Sequence, residues 1–477
     1  MTRLNPRVTA KLVAVLVAAL LPALAQTVPT GPILISANRR FLQFEDGRPF
    51  FWLGDTGWLM FQKLDRDETE RYLEDRRKKG FNVIQAMVLH SVESRNVMNA
   101  AALTGGNPAL PLVTPGKDPL AAGEYDYWDH VEWVIDLAAA KGIYIAMVPA
   151  WGSIVKGGRL NQDNVETYAR FLGDRYGGKT NIFWLVGGDL QGDIKPEVWR
   201  TMGRILKQTC PRHLVTYHPF GRTQSSTWFH DETWLDFNMF QSGHRRYDQD
   251  TTAGAKGEDN WRYVLEDLAR RPPKPTLDGE PSYEGIPQGL HDPKEPLWTD
   301  RDVRRYAYWS VLAGAFGHTY GHASIMQMRK PSDARSPYGA AKTWDRAIDD
   351  PGAGQMRHLK SLILSRPVFE RVNDQTLIAG VNGERYERVL AARGLGYLFA
   401  YSYTGRPFEV RMGVISGKQV LAWWYNPRDG LAKAIGRLPN RGIRRFQPPG
   451  VPGEGNDWVL VLDDASRKYG FPGSNPN

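Results

Sequence analysis

Cysteine is almost absent: Cys210 is the only one among 477 residues, which excludes an intramolecular disulfide framework. Other absences are as informative. No GxGxxG or Walker-type glycine loop follows the first apolar segment, so a nucleotide-phosphate cradle is not indicated. No CxxC, HExxH or GxSxG elbow occurs, which removes the commonest signatures of zinc sites and serine hydrolases. No basic run or basic-aromatic repeat marks a nucleic-acid surface. Beyond the N-terminus, no apolar run reaches the ~20 residues needed to span a bilayer. Internal repeats and low-complexity tracts are also missing.

The chain is 42% hydrophobic and 11% aromatic, enough to fill one large core and a smaller one. Residues 1–25 carry Arg3, Arg7 and Lys11 without an acid, then LVAVLVAALLPALA ending in Ala23-Leu24-Ala25. This is the pattern of a secretory signal peptide, with cleavage expected after Ala25 and a secreted or periplasmic protein that leaves the membrane. An uncleaved anchor is the competing reading, disfavoured by the short apolar run. Three units of the +9 formal charge sit in that segment, so the remaining surface is only modestly basic. Such a surface suits an acidic polymer, although scattered Lys and Arg usually mark a solvated face. Cys210 closes the helical stretch KQTC and reads as an inert thiol.

Between residues 34 and 365 apolar runs alternate with amphipathic stretches. Strands are expected at 51–56, 81–89, 143–151, 181–189, 213–220, 235–242, 274–280 and 314–321, with helical patterns between most of them. Eight strand-helix units in this length fit a TIM barrel of ~250 residues. A doubly wound sheet is the alternative, and the missing phosphate loop counts against it. From residue 366 to 465 the texture changes to short alternating strands with Pro- and Gly-rich turns, which reads as a small all-β sandwich.

In such a barrel the chemistry lies at the C-terminal ends of the strands. Those ends carry Asp55, Trp58, His90, Trp151, Asp189, His218, Gln241, His244, Glu280, His318, Tyr320 and His322. The informative pair is Asp189 at the end of strand 4, in NIFWLVGGDL, and Glu280 at the end of strand 7, in TLDGEP. Glycoside hydrolysis needs two such carboxylates, one to protonate the leaving oxygen and one to act as nucleophile or as base for water. Nearby Trp and Tyr rings offer faces for sugars.

The run GRPFFWLGDTGWLMFQKLDRDETERYLEDRRKKGFNVIQAMVL, followed in order by FWLVGGD, FQSGH and LDGEPSYEGI, resembles the apiosidase-like family of glycoside hydrolases. In that family the barrel is commonly followed by a small domain labelled collagen-binding. The resemblance spans about residues 34–465. It implies that Asp189 is the acid/base and Glu280 the nucleophile of a retaining mechanism without a cofactor. It also implies an oligosaccharide or polysaccharide substrate, with release of apiose from the pectic polysaccharide rhamnogalacturonan II as the characterised activity. Asp189 stands where the wider clan of retaining barrel glycosidases ends strand 4 in Asn-Glu, so a shorter carboxylate is used here.

Each residue has a plainer reading. Asp189 can cap a helix, although Asp193 stands nearer the one beginning around Pro196. Asp278 shares a strand face with Glu280 and reads as its orienter. Asp55 can form an Asx-turn. As substrate contacts we take Asp55, Trp58, Trp151, His218, Gln241, His244 and Tyr320. His318 and His322 are spaced i, i+4, but on a strand and without a third ligand, so no metal is assigned. Adjacent Trp423 and Trp424 point to opposite faces, so at most one can serve a sugar platform. The alternatives to an enzyme of this kind are a non-catalytic carbohydrate- or matrix-binding barrel and a metal-dependent hydrolase.

Overall fold

The structure is a computed structural model and describes residues 31–251, 254–334 and 336–474. The expected signal segment, residues 1–25, lies outside the described residues. Eight parallel strands form the barrel: β1 Trp52–Thr56, β2 Val83–Met87, β3 Tyr144–Val148, β4 Ile182–Leu190, β5 Leu214–Pro219, β6 Asn238–Gln241, β7 Thr276–Asp278 and β8 Gly317–Tyr320. Strands β1 to β5 pair in sequence order, and β8, β7 and β6 continue from the other side of β1. The ring closes between β5 and β6, where the Asp236 N–H donates to Val215 O at 2.8 Å and Thr216 Oγ1 to Phe237 O at 2.6 Å. All eight expected strands are present, and most are shorter than their apolar runs.

Every residue of β1, β2 and β3 is buried, because helices cover one face of the sheet and the barrel interior the other. Trp52, Phe183, Phe237 and Phe316 fill that interior through tilted and edge-on ring contacts. An antiparallel meander of Ile33–Ile35, Leu42–Phe44 and Pro49–Phe50 precedes β1. It brings Phe50 against Tyr144 and Phe183 at the N-terminal ends of β3 and β4. The helix Arg66–Lys78 shows why the expected helices form: a reciprocal Asp65/Glu68 capping box opens it, and three bases close its last turn.

The C-terminal region has a six-stranded and a three-stranded antiparallel sheet. Phe408, Val410, Trp424, Leu460 and Leu462 belong to one buried cluster there. Trp424 is in this core, while Trp423 turns the other way and packs edge-on against Phe471 at 5.3 Å, which leaves no flat sugar platform. Ala432–Pro439 and Ile443–Phe446 are edge strands whose exposed Lys, Arg and Ile residues break the apolar alternation.

This sandwich docks on the helix Asp300–Ala313 that leads into β8. Arg304 and Asp457 form a two-pronged pair at 3.0 Å on each prong, with Tyr401 OH also donating to Asp457. Arg305 pairs with Glu258 at 2.5 Å and faces the rings of Tyr386 and Tyr403. Arg366 grips Asp463 at 2.7 Å through two nitrogens. Asp457→Ala takes two charge-assisted hydrogen bonds from buried Arg304, which keeps Asp300 at 2.5 Å, so the change is expected to cost about 1.5–3 kcal/mol in urea-induced unfolding.

Candidate functional site

The GGD segment is a bulge. β4 pairs with β5 from Phe183–Leu214 to Gly187–His218 and then resumes at Leu190–Pro219, so Gly188 and Asp189 have no partners in the ladder. Gly187, Gly188 and Asp189 all take positive φ, at 103°, 128° and 55°. A Cβ on Gly187 would lie 2.5 Å from His218 O, and one on Gly188 2.8 Å from the Trp151 ring, so only glycine fits either position. A bulge at a barrel rim re-aims a side chain. Here it turns Asp189 into a cavity of about 770 Å³ at the C-terminal ends of the strands. Asp189 caps no helix; the residue before the helix Pro196–Thr209 is Lys195, and Asp193 does not cap it either.

Trp58, His90, Trp151, Gln241, His244 and Glu280 also line this cavity. Glu280 is held by two imidazoles: His244 Nε2 lies 3.3 Å from Oε1 and His218 Nε2 lies 3.1 Å from Oε2. The Asp189 N–H donates to His218 Nδ1 at 3.4 Å, which leaves the proton of a neutral imidazole on Nε2, facing Glu280. The backbone of one carboxylate residue thereby orients the histidine that holds the other. Trp58 and Trp151 pack against the His218 ring at 5.3 and 5.9 Å and fix it from the cavity side. Trp58 is only 4% exposed, so it shows substrate little of its face. Gln241 presents a side-chain carbonyl with no hydrogen-bond donor among the described residues.

The two acids are pushed apart electrostatically. Burial, then the neighbouring Glu280 charge, raises Asp189 to about 6. Burial alone would raise Glu280 as well, but the contacts with His218 and His244 outweigh it and hold the carboxyl at about 2. Below about pH 6 the cavity therefore holds one carboxyl able to donate a proton and one that stays charged, which is the division of labour glycoside cleavage requires.

Three expected substrate contacts need correction. Asp55 is fully buried, paired with Arg76 at 2.6 Å and accepting from Tyr72 OH at 2.7 Å, so it ties β1 to the first large helix and does not reach the cavity. Tyr320 is buried too and donates to Glu284 at 2.6 Å. His218 has no exposed surface and acts on Glu280 from behind. Asp278 accepts from Ser242 and Asn260 and does not line the cavity. His318 bonds to Ser310 and His322 to Asp350, and among the described residues no group of three or more His, Cys, Asp or Glu is arranged to hold a metal.

Other residues at the site carried no signal of their own in the sequence. Tyr283, three positions after Glu280, accepts from Trp58 Nε1 at 3.2 Å, packs edge-on against His244 and interacts with Glu280. Phe220, Arg222, Arg245, His291 and Tyr338 complete the mouth of the cavity from long loops, where periodicity says nothing about direction. Gly243 packs so closely that a Cβ would meet the Pro281 carbonyl at 2.5 Å. Gly243→Ala must therefore push His244 off Glu280, and steady-state kinetics should show kcat/KM reduced by about 10- to 100-fold in a folded protein.

The chain matches the family model described as "Apiosidase-like, catalytic domain" over residues 36–370, and "Putative collagen-binding domain of a collagenase" over 372–463. A solved structure described as a glycoside hydrolase is 49% identical, covering 92% of this chain and 98% of its own, with a TM-score of 0.87. A glycoside hydrolase family 5 structure from Bacteroides vulgatus is 46% identical, covering 94% and 96%, with a TM-score of 0.88. No curated protein matches. A TIM barrel with these relatives is a glycoside hydrolase. Within that class, the chain belongs to the apiosidase-like family.

Proposed function

We propose that the enzyme cleaves a polysaccharide with retention of configuration, Asp189 serving as acid/base and Glu280 as nucleophile. The observation that carries this reading is the opposite displacement of the two carboxyls, one raised to about 6 and the other lowered to about 2, in one cavity. Asp189 would protonate the glycosidic oxygen as Glu280 attacks the anomeric carbon, forming a glycosyl ester and releasing the leaving group as an alcohol. Asp189 would then take a proton from water, which displaces Glu280 and regenerates both groups. His218 and His244 keep Glu280 charged and oriented for attack. Trp151 and Gln241 offer the sugar an apolar face and an acceptor.

The family supports a pectic substrate and release of apiose from rhamnogalacturonan II. The charge and apolar pattern of residues 1–25 supports export, which N-terminal sequencing of the secreted or periplasmic protein would test. For the reaction, the test is digestion of plant and microbial glycans, with the released sugar identified and its first-formed anomer read by NMR. An inverted product would overturn the nucleophile assignment to Glu280, and release of a different sugar would overturn apiose.

A further inference from the structure

The chain after β8 separates two concavities. Asp333, Ala334, Pro337 and Tyr338 line the catalytic cavity, while Arg329, Lys330 and residues 341–346 line a second one of about 600 Å³, whose opposite wall is Glu68 and Arg71 of the helix Arg66–Lys78. This groove holds five bases, Arg71, Arg329, Lys330, Lys342 and Arg346, against two acids, Glu68 and Asp345. Lys330 is taken up by Glu68 at 2.6 Å, and Lys342 by Asp350 outside the groove at 2.5 Å. Asp345 accepts from Thr343 Oγ1 at 2.5 Å. Arg71, Arg329 and Arg346 make no ion pair among the described residues: Arg71 donates to Asp345 O and lies over the Trp344 ring, and Arg329 donates to Ser336 Oγ.

Isolated arginines on a convex surface are ordinary solvated groups. Three in one concavity, on a buried Trp344 floor, feel Asp345, Asp349 and Asp333 nearby without a direct ion pair, and the groove's excess of bases over acids leaves a positive field that favours planar anions able to take two parallel N–H bonds. The wall they share with the catalytic cavity is held in place: Lys63, which lines that cavity, pairs with Asp333 at 2.5 Å, and Lys330 N–H donates to Asp333 at 2.8 Å. The arginines thus lie on the far side of this wall from the catalytic cavity.

The geometry points to a second glycan-binding groove at Arg71, Arg329 and Arg346, which takes the carboxylate or sulfate groups of a polysaccharide whose scissile bond lies in the catalytic cavity. This rests on the polysaccharide-cleaving function proposed above and assigns the charge of the polymer beyond the cleavage point. Binding is read on the full chain carrying Glu280→Gln, by affinity electrophoresis in gels containing polygalacturonate, dextran sulfate or neutral arabinan.

The expected result is retardation by at least one polyanion that falls as salt is raised, and about tenfold weaker binding when Arg71→Ala and Arg346→Ala are added, with the corresponding Lys variants between the two. The stronger of the two polyanions identifies carboxylate or sulfate as the group bound. Unchanged retardation of the double Ala variant, no retardation by either polyanion, or equal retardation by arabinan would overturn the groove. Digestion of the same polymers by the wild-type enzyme tests catalysis separately, so loss of one result leaves the other standing. Arg71→Ala/Arg346→Ala in the wild-type background should hydrolyse short neutral substrates at the normal rate.

Discussion

Glu280→Gln should reduce kcat by at least about 10³-fold, because an amide at that position cannot form the glycosyl ester. The side chain is nearly isosteric, so circular dichroism should report an unchanged fold. Stability should nevertheless change with pH in a definite direction. Glu280 is held near 2 against an ordinary value of 4.5, so its ionised form is favoured in the native state. That stabilisation is present above about pH 4.5 and disappears as the pH falls toward 2. Thermal melts should therefore show the Gln variant less stable than wild type at neutral pH, with the difference closing in acid. A variant with near-normal turnover would remove Glu280 from the mechanism.

Asp189→Asn should have the second largest effect, a loss of about 10²- to 10⁴-fold on natural glycosides. On aryl glycosides, whose leaving groups need no proton, glycosylation should be far less impaired. In the wild type kcat/KM should decline as the pH rises through about 6, where Asp189 loses its proton, and the Asn variant should lack that limb. The stability effect runs opposite to that at Glu280. Asp189 is raised from 3.8 to about 6, so its ionised form is disfavoured in the native state and the fold loses stability as the pH rises through this interval. Asp189→Asn should raise Tm above about pH 6 and match wild type below about pH 4. A catalytic acid maintained at the expense of stability has this pair of signatures, whereas a structural acid would show loss of both activity and stability.

The barrel was legible in the sequence because parallel strands buried on both faces leave apolar runs too regular to miss, and NIFWLVGGDL and FNVIQAMVL are two of them. Asp189 and Glu280 were legible because a strand end fixes where a residue lies in a barrel. It does not fix which way the side chain turns. Asp55 and Tyr320 also sit at strand ends, yet they face outward to Arg76 and Glu284, charges supplied by distant segments. The arginines and aromatics of the cavity mouth come from loops after β5, β6, β7 and β8, whose paths no periodicity encodes. The bulge was visible only as two glycines. Its role becomes clear once Gly187 meets the His218 carbonyl and Gly188 the Trp151 ring.

The sandwich is fastened to the barrel by the ion pair Arg304–Asp457 and by the hydrogen bonds of Tyr386 OH to Glu258 and Arg371 to Ala315 O, and Cys210 is buried and unpaired. These cross-links are electrostatic and contain no sulfur, so they neither need an oxidant to form nor yield to a thiol. The melting temperature should be indifferent to redox potential, and the enzyme can reach the same rigidity in a reducing compartment as in an oxidising one.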